Sequence, residues 1–505
     1  MRVWPVPRTI RPMPSARATI VAATVATIVG IAACSSHASS PKASTPTTSE
    51  AVVVAASPRG TISHTGRWLT DDAGRVVILH GVNMVEKQPP YYPAAAGFGE
   101  DDAAWIEQHG FDVVRLGVLA TGLMPRPGVI DTAYLDHLSA TADVLARHHI
   151  YVLFDFHQDG WGPAIGDDGF PAWMTLTGTA KNTHTTFPLY YVTNPAIQQS
   201  FQSLWDDAPG PGGVRVRDRF AAMVRAIGSR FATAPSVLGY DVFNEPWPGT
   251  TWSACLNDAN GCPVQDRREL DPFYATTSRA LRAADRHHLL FVEPFVLFNY
   301  GQSATHVALP GHDADAGLSF HLYALDTAHE PKVVQNAQAW SRATTGALMA
   351  TEWGATTDPG TITREAGELD RAFVPWIFWS YDELVSDLHR APGTGSFPSA
   401  AAAALARPYP TVVAGTPTAS SFDAKTKTLS FSWSTTRPAG GTFPAGTVTS
   451  FEVPPTTYPT GYQVVASGAG VTSKPCAAVL TVAAQAGATS ASVRIAPGRG
   501  CASRR

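Results

Sequence analysis

Cysteine is scarce in this chain, with five residues among 505. They fall as Cys34, a pair at Cys255 and Cys262, and a pair at Cys476 and Cys501. None has the C-x₂-C spacing of zinc ligands, and the two pairs lie far apart, so no metal site is expected. Charge is also low: Asp, Glu, Lys and Arg make up 15%, and 37 basic residues nearly cancel 41 acidic ones. No long basic run follows the N-terminal segment, which excludes a nucleic-acid partner held through its phosphates. The uncharged run Ala18 to Ala33 is too short to span a bilayer. What remains is a chain with 44% apolar residues and 10% aromatic ones. Its length suits one large domain and a smaller one.

The first 33 residues carry Arg2, Arg8, Arg11 and Arg17 ahead of that uncharged run, the layout of an export signal. It ends Ile31-Ala-Ala-Cys34, which resembles the bacterial lipoprotein cleavage motif, where the cysteine becomes the lipidated first residue. Residues 34–59, rich in Ser, Thr, Pro and Ala, then form a tether. The expectation is an exported protein, held at the outer face of the cell membrane by a lipid or secreted outright. The competing reading is an ordinary secretory signal with an incidental cysteine. In an oxidising compartment, Cys255 with Cys262 and Cys476 with Cys501 form two local disulfides.

Residues 60–407 alternate apolar runs with helical patterns. A hairpin around Trp68 and Asp71-Asp-Ala-Gly74 leads into a run from Val76. Counting from there, runs begin near Val113, Tyr151, Val237, Leu289, Leu318, Ala347 and Val374, giving eight strands with helices between them. Eight such units predict a (β/α)₈ barrel. After Arg407-Pro-Tyr-Pro410, residues 408–505 hold short β-favouring runs separated by Gly, Pro, Thr and Ser, which predicts an all-β sandwich.

In an α/β barrel, residues at the C-terminal tips of strands project into the active-site mouth. The run Val237 to Phe243 ends in Asn244-Glu245-Pro246, and the run from Ala347 ends in Thr351-Glu352-Trp-Gly354. Two glutamates delivered this way are what hydrolysis of a glycosidic bond requires. Glu245 is assigned as acid/base and Glu352 as nucleophile. Asn244 is placed to donate to the sugar hydroxyl beside the reacting carbon. Arg115 is placed to keep a nucleophilic carboxylate ionised, unless it forms only a buried ion pair. His157 and His321 either meet sugar hydroxyls or orient the carboxylates, and Trp379 is a candidate stacking floor. Glu293, in Phe-Val-Glu-Pro294, is a rival acid, ranked lower because it lacks a neighbour like Asn244.

These residues resemble glycoside hydrolase family 5: Asn244-Glu-Pro246, Glu352-Trp-Gly354, Arg115, His157 and His321-Leu-Tyr323. Longer stretches, Gly81 to Pro93, Phe156-His-Gln-Asp159, Asn244 to Gly249, Glu293 to Gly301 and Tyr458-Pro-Thr-Gly-Tyr462, are similar to endoglycoceramidases and related glycosylceramidases. The resemblance implies retaining hydrolysis without a cofactor, a glycolipid or oligosaccharide substrate, and Lys87 and Asp159 bound to hydroxyls of the sugar nearest the cleavage point. Tyr323 joins the same supporting set. The module after 408 is expected to pack on the barrel. Asp159-Gly-Trp161 and Gly169 to Met174 are expected either to line an apolar channel for a lipid or simply to pack as loops. Alternatives are a β-glucosidase acting on glucosylceramide or steryl glucosides and, from another class, a non-catalytic glycolipid-binding lipoprotein.

Overall fold

A computed structural model describes residues 60–498, apart from 257, 258 and 396. The export signal, Cys34, the tether and Cys501 lie outside the described residues.

Eight parallel strands close into a barrel: β4 (His80–Met84), β5 (Val113–Leu119), β6 (Tyr151–His157), β7 (Val237–Asp241), β8 (Leu289–Val292), β9 (Ala316–Leu322), β10 (Ala347–Trp353) and β11 (Trp376–Phe378). They neighbour one another in chain order, and β11 pairs with β4. Every residue of these strands is buried, which is why they read as apolar runs without alternation. Helices such as Glu100–Gln108, Thr132–Arg147, Val216–Phe231, Asp271–Arg282, Glu330–Thr344 and Pro359–Ala372 lie between them. The longest of the helices not anticipated is Pro195–Trp205, although its start was written in the sequence. Asn194 accepts from the Ala196 N–H at 3.1 Å, and Pro195 occupies the first helical position.

The first strand was expected to begin at Val76, but the barrel begins at His80. Ahead of it, β1 (Ser63–Thr65), β2 (Trp68–Thr70) and β3 (Val76–Val77) join a different sheet. Eight further strands complete two antiparallel sheets: β12 (Tyr409–Val413), β13 (Thr416–Asp423), β14 (Thr428–Ser434), β15 (Val448–Glu452), β16 (Tyr462–Ser467), β17 (Ala469–Val471), β18 (Val479–Ala484) and β19 (Ser490–Pro497). One sheet runs β1-β2-β3-β12-β15-β18-β17 and the other β13-β14-β19-β16. Phe431, Trp433, Phe451, Leu480 and Val493 pack between them with Val76 from the N-terminal hairpin. The boundary expected at residue 408 is therefore crossed by pairing, Val76 opposite Val413 and Val77 opposite Val412. Local sequence could not reveal this, because a two-residue strand carries no periodicity.

The joint between the two modules is aromatic and ionic. The His80 ring stacks on Trp376 at 3.9 Å and on Tyr409 at 3.7 Å. Its Nε2 lies 3.4 Å from Asp370, which also pairs with Arg407 at 3.1 Å. Burial works against the Asp370 charge, but the His80 hydrogen bond and Arg407 outweigh it and hold the carboxyl down at about 2. Among the described residues, no helix is long and apolar enough to cross a membrane.

Candidate active site

Glu245 follows β7 through Asn244, and its backbone is left-handed, with φ 44°. A non-glycine residue in that region is uncommon and strained, and such residues gather at functional sites. Here the neighbours hold it, since the Glu245 N–H donates to Glu293 Oε2 at 2.9 Å. Glu352 sits inside β10 where the register to β9 shifts between Ala350 and Glu352, so that Glu352 faces His321. A bulge of this kind re-aims a side chain. Gly354 then turns the chain at φ 89°, and a Cβ there would meet the Phe378 ring at 2.4 Å, so only glycine fits.

The strand tips bring the two glutamates together. Glu245, His321 and Glu352 each offer an atom, and these atoms all lie within 4.8 Å of one another. That spacing is the one a covalent glycosyl intermediate needs, about 5 Å, rather than the wider gap that admits a water directly. His321 Nδ1 stands 2.8 Å from Glu245 Oε1 and 3.4 Å from Glu352 Oε2, while Nε2 is 3.2 Å from Glu293. Burial opposes a charge on His321, but Glu293 and Glu352 outweigh it and hold the imidazolium well above its usual range. Of the two roles open to His321, this contact set is that of a residue that orients carboxylates.

Arg115 is fully buried beneath the site. It reaches Glu352 at 2.6 Å, Asp155 at 2.9 Å, Asp241 at 3.0 Å and Glu293 at 3.1 Å, and donates to Asn83 Oδ1 at 3.2 Å and Asn244 Oδ1 at 2.9 Å. Arg115 thus touches the proposed nucleophile and anchors a buried ion cluster. Glu352 also accepts from the Tyr323 hydroxyl at 3.0 Å. Burial raises the Glu352 carboxyl, and His321 and Arg115 pull it back toward the ionised form a nucleophile must have. Asn299 donates to Glu245 Oε1 at 3.1 Å. Asn244 is fixed through Arg115 and by donating to the Gln158 carbonyl at 3.1 Å.

Glu293 does not compete with either glutamate. It is wholly buried, between Arg115, His321 and the Glu245 N–H, and burial pushes its carboxyl up to about 8. Asp155, Asp241, Asn83 and Asn299 were not singled out by sequence. Asp155 and Asp241 did leave a signal: a lone acid inside an otherwise uncharged buried strand demands a buried cation, and Arg115 was the one on offer.

A second cluster lies beside the first. His157 bridges Asp155 at 2.7 Å and Asp159 at 3.4 Å, and its ring stacks on Trp379 at 5.3 Å. Lys87 pairs with Asp159 at 2.8 Å and Glu383 at 3.3 Å, and its ammonium lies 4.6 Å above the Trp379 ring. Burial alone would raise Asp159, but Lys87 and His157 outweigh it and lower its pKa. Trp379 donates to Glu383 at 3.1 Å, and 8% of it remains exposed. His157, Asp159 and Asp168 have the spacing of metal ligands, as do Glu245, His321 and Glu352. In each group an organic cation, Lys87 or His321, already supplies the positive charge a metal would bring.

Of the two readings of the loops after β6, the burial of their large apolar residues favours packing. Trp161, Phe170 and Met174 are buried in the main core, with Trp161 and Phe170 rings 4.4 Å apart. Cys255 and Cys262 form a disulfide in the loop beyond Glu245.

An eight-stranded barrel with two close glutamates at the tips of β7 and β10, one held by arginine and tyrosine, defines a retaining glycoside hydrolase. The family model Cellulase (glycosyl hydrolase family 5) matches residues 71–384, and Glycoside hydrolase family 5 C-terminal domain matches residues 407–496. The chain belongs to glycoside hydrolase family 5. It is 31% identical over 451 residues to Endoglycoceramidase I of Rhodococcus hoagii (strain 103S), covering 85% of this chain and 87% of that protein. To Endoglycoceramidase of Hydra vulgaris it is 27% identical, over 78% of this chain and 81% of that one. In fold it is similar to endo-glycoceramidase II from Rhodococcus sp. in its ganglioside GM3 complex, with TM-score 0.69 and 23% identity, over 86% of this chain and all of that one. An endogalactoceramidase structure gives TM-score 0.66 at 22% identity, over 87% of this chain and all of that one.

Proposed function

We propose that the protein releases the glycan of a glycosphingolipid by cutting the bond between its first sugar and the ceramide. The pair Glu245 and Glu352, with atoms inside 4.8 Å and the second glutamate held by Arg115, carries the chemistry of this reading. The 31% identity to an endoglycoceramidase across most of both chains supports the lipid aglycone. Glu352 attacks the anomeric carbon while Glu245 gives its proton to the departing ceramide oxygen, forming a glycosyl ester on Glu352. Glu245 then takes a proton from water, whose oxygen attacks the same carbon and frees Glu352. Lys87 and Asp159 hold hydroxyls of the sugar nearest the cut, and Trp379 offers its exposed edge beside them.

Incubation with ganglioside GM3 and, separately, with glucosylceramide decides the aglycone and the length of glycan. Intact oligosaccharide and ceramide from GM3, read by mass spectrometry, are expected. Cleavage of glucosylceramide or steryl glucoside alone would replace this with a glucosidase, a reading favoured by the 27% identity to the Glucosylceramidase of Rhizopus delemar over 37% of this chain. Saturable glycolipid binding without turnover would leave only a binding protein.

Export and a lipid anchor at Cys34 belong to the same proposal, supported by Ile31-Ala-Ala-Cys34. An anchored enzyme would meet its amphiphilic substrate at a membrane surface. Metabolic labelling with an alkynyl fatty acid is expected to mark the expressed chain and to miss Cys34→Ser. Equal labelling of both would remove the anchor.

A further inference from the structure

The loop after β6 folds back on its own start. The Asp159 N–H donates to the Asp168 carbonyl at 3.1 Å, and the Asp168 N–H returns a bond to Asp159 at 3.2 Å. This bridge sets the Asp168 carboxyl within 4.8 Å of an Asp159 oxygen and a His157 ring nitrogen. Its neighbours are all paired: Lys87 with Asp159 and Glu383, and His157 with Asp155 and Asp159. Asp168 stands apart. It is 3% exposed, and its buried Oδ1 has no hydrogen-bond partner.

A buried carboxyl oxygen without a donor is costly, and native proteins rarely keep one without a reason. A hydroxyl suits the place, since it can donate to a carboxylate and either donate to or accept from a carboxylic acid. A metal ion fits poorly, because the Lys87 ammonium already stands 2.8 Å from Asp159. The surroundings suit a sugar instead. Tyr91 and Tyr323 pack against the cluster formed by Val85, Leu119 and Trp379, giving apolar and aromatic walls beside a ring of polar groups.

We propose that Asp168 is a further substrate-binding residue, its unpaired carboxyl oxygen accepting a hydroxyl of the sugar unit that Lys87 and Asp159 hold. The assignment rests on the reading of Lys87 and Asp159 as sugar ligands. It does not depend on what the aglycone is. Sequence alone gave no hint of it, because Asp168 lies in a loop and reaches the site only through the bridge to Asp159.

The test uses aryl β-glucoside or β-galactoside, whichever the chain hydrolyses faster, together with its singly deoxygenated analogues. Asp168→Asn keeps the shape and is expected to lower kcat/KM on the parent sugar about tenfold. One deoxy analogue, penalised by the unaltered chain, is expected to lose little more with Asp168→Asn, because the same bond is already gone. If every deoxy penalty is the same in both proteins, or if Asp168→Asn stays within about twofold of the parent, the assignment is overturned. Should Asp168→Asn not fold, the unaltered chain still decides: no analogue losing more than about threefold also overturns it. A chain that cleaves aryl glycosides but releases no ceramide refutes the glycolipid reading while this comparison stands.

Discussion

Glu352→Gln is expected to lower kcat by about 10⁴-fold or more while the protein stays folded. An amide of the same shape keeps an oxygen for Arg115, 2.6 Å away, but it cannot attack the anomeric carbon. The measurement is turnover of an aryl β-glycoside, with circular dichroism and the thermal midpoint to confirm folding. Activity within tenfold of the parent would end the double-displacement mechanism. Glu245→Gln separates the two roles, because its defect is expected to shrink sharply on a substrate whose phenolate leaves without a proton. If both variants respond alike to leaving-group quality, the assignment of acid and nucleophile is wrong.

The largest effect on stability is expected at Arg115. It is the shared partner of Asp155, Asp241, Glu293 and Glu352, and it is completely buried with all but the last. Burial disfavours its charge, yet these four carboxylates outweigh that and hold the guanidinium well above its ordinary pKa. Arg115→Met fills similar space but leaves several buried acids without a cation. Removing one partner from a buried ionic cluster costs about 3–5 kcal/mol. Urea unfolding should register that loss, and turnover should fall with it because Glu352 and Asn244 lose their positioning. A variant as stable as the parent would mean the acids take up protons without strain. Lysine is not a conservative replacement, since one ammonium cannot present the fork that meets partners on three sides.

The proposed catalytic pair was legible because buried parallel strands have a simple signature: uncharged runs that stop at a polar tip. Glu245 and Glu352 each end such a run, and His157, His321 and Trp379 could be found by the same rule, whereas Arg115 lies inside β5. Asp155 and Asp241 obey a different one. They interrupt apolar runs rather than ending them, and they become meaningful only when Arg115 is known to point at both. The aromatic loop Gly169 to Met174 stayed ambiguous in the sequence, because an apolar residue near an active site reads the same whether it lines a cavity or fills a core.

From the order of residues alone came the eight-stranded barrel, the β-rich module after it, the two acids and the disulfide at Cys255, since each is encoded by local patterning or by side-chain type. Tertiary structure alone decided that the N-terminal hairpin joins the C-terminal sheet, that His321 serves three glutamates, that Glu293 lies beneath the site, and that Asp168 comes back to Asp159. All but the last are contacts between segments far apart in the chain, and the last is a loop closing on itself. Periodicity reports how a segment meets its surroundings as a whole, and it carries no record of which distant residue stands there.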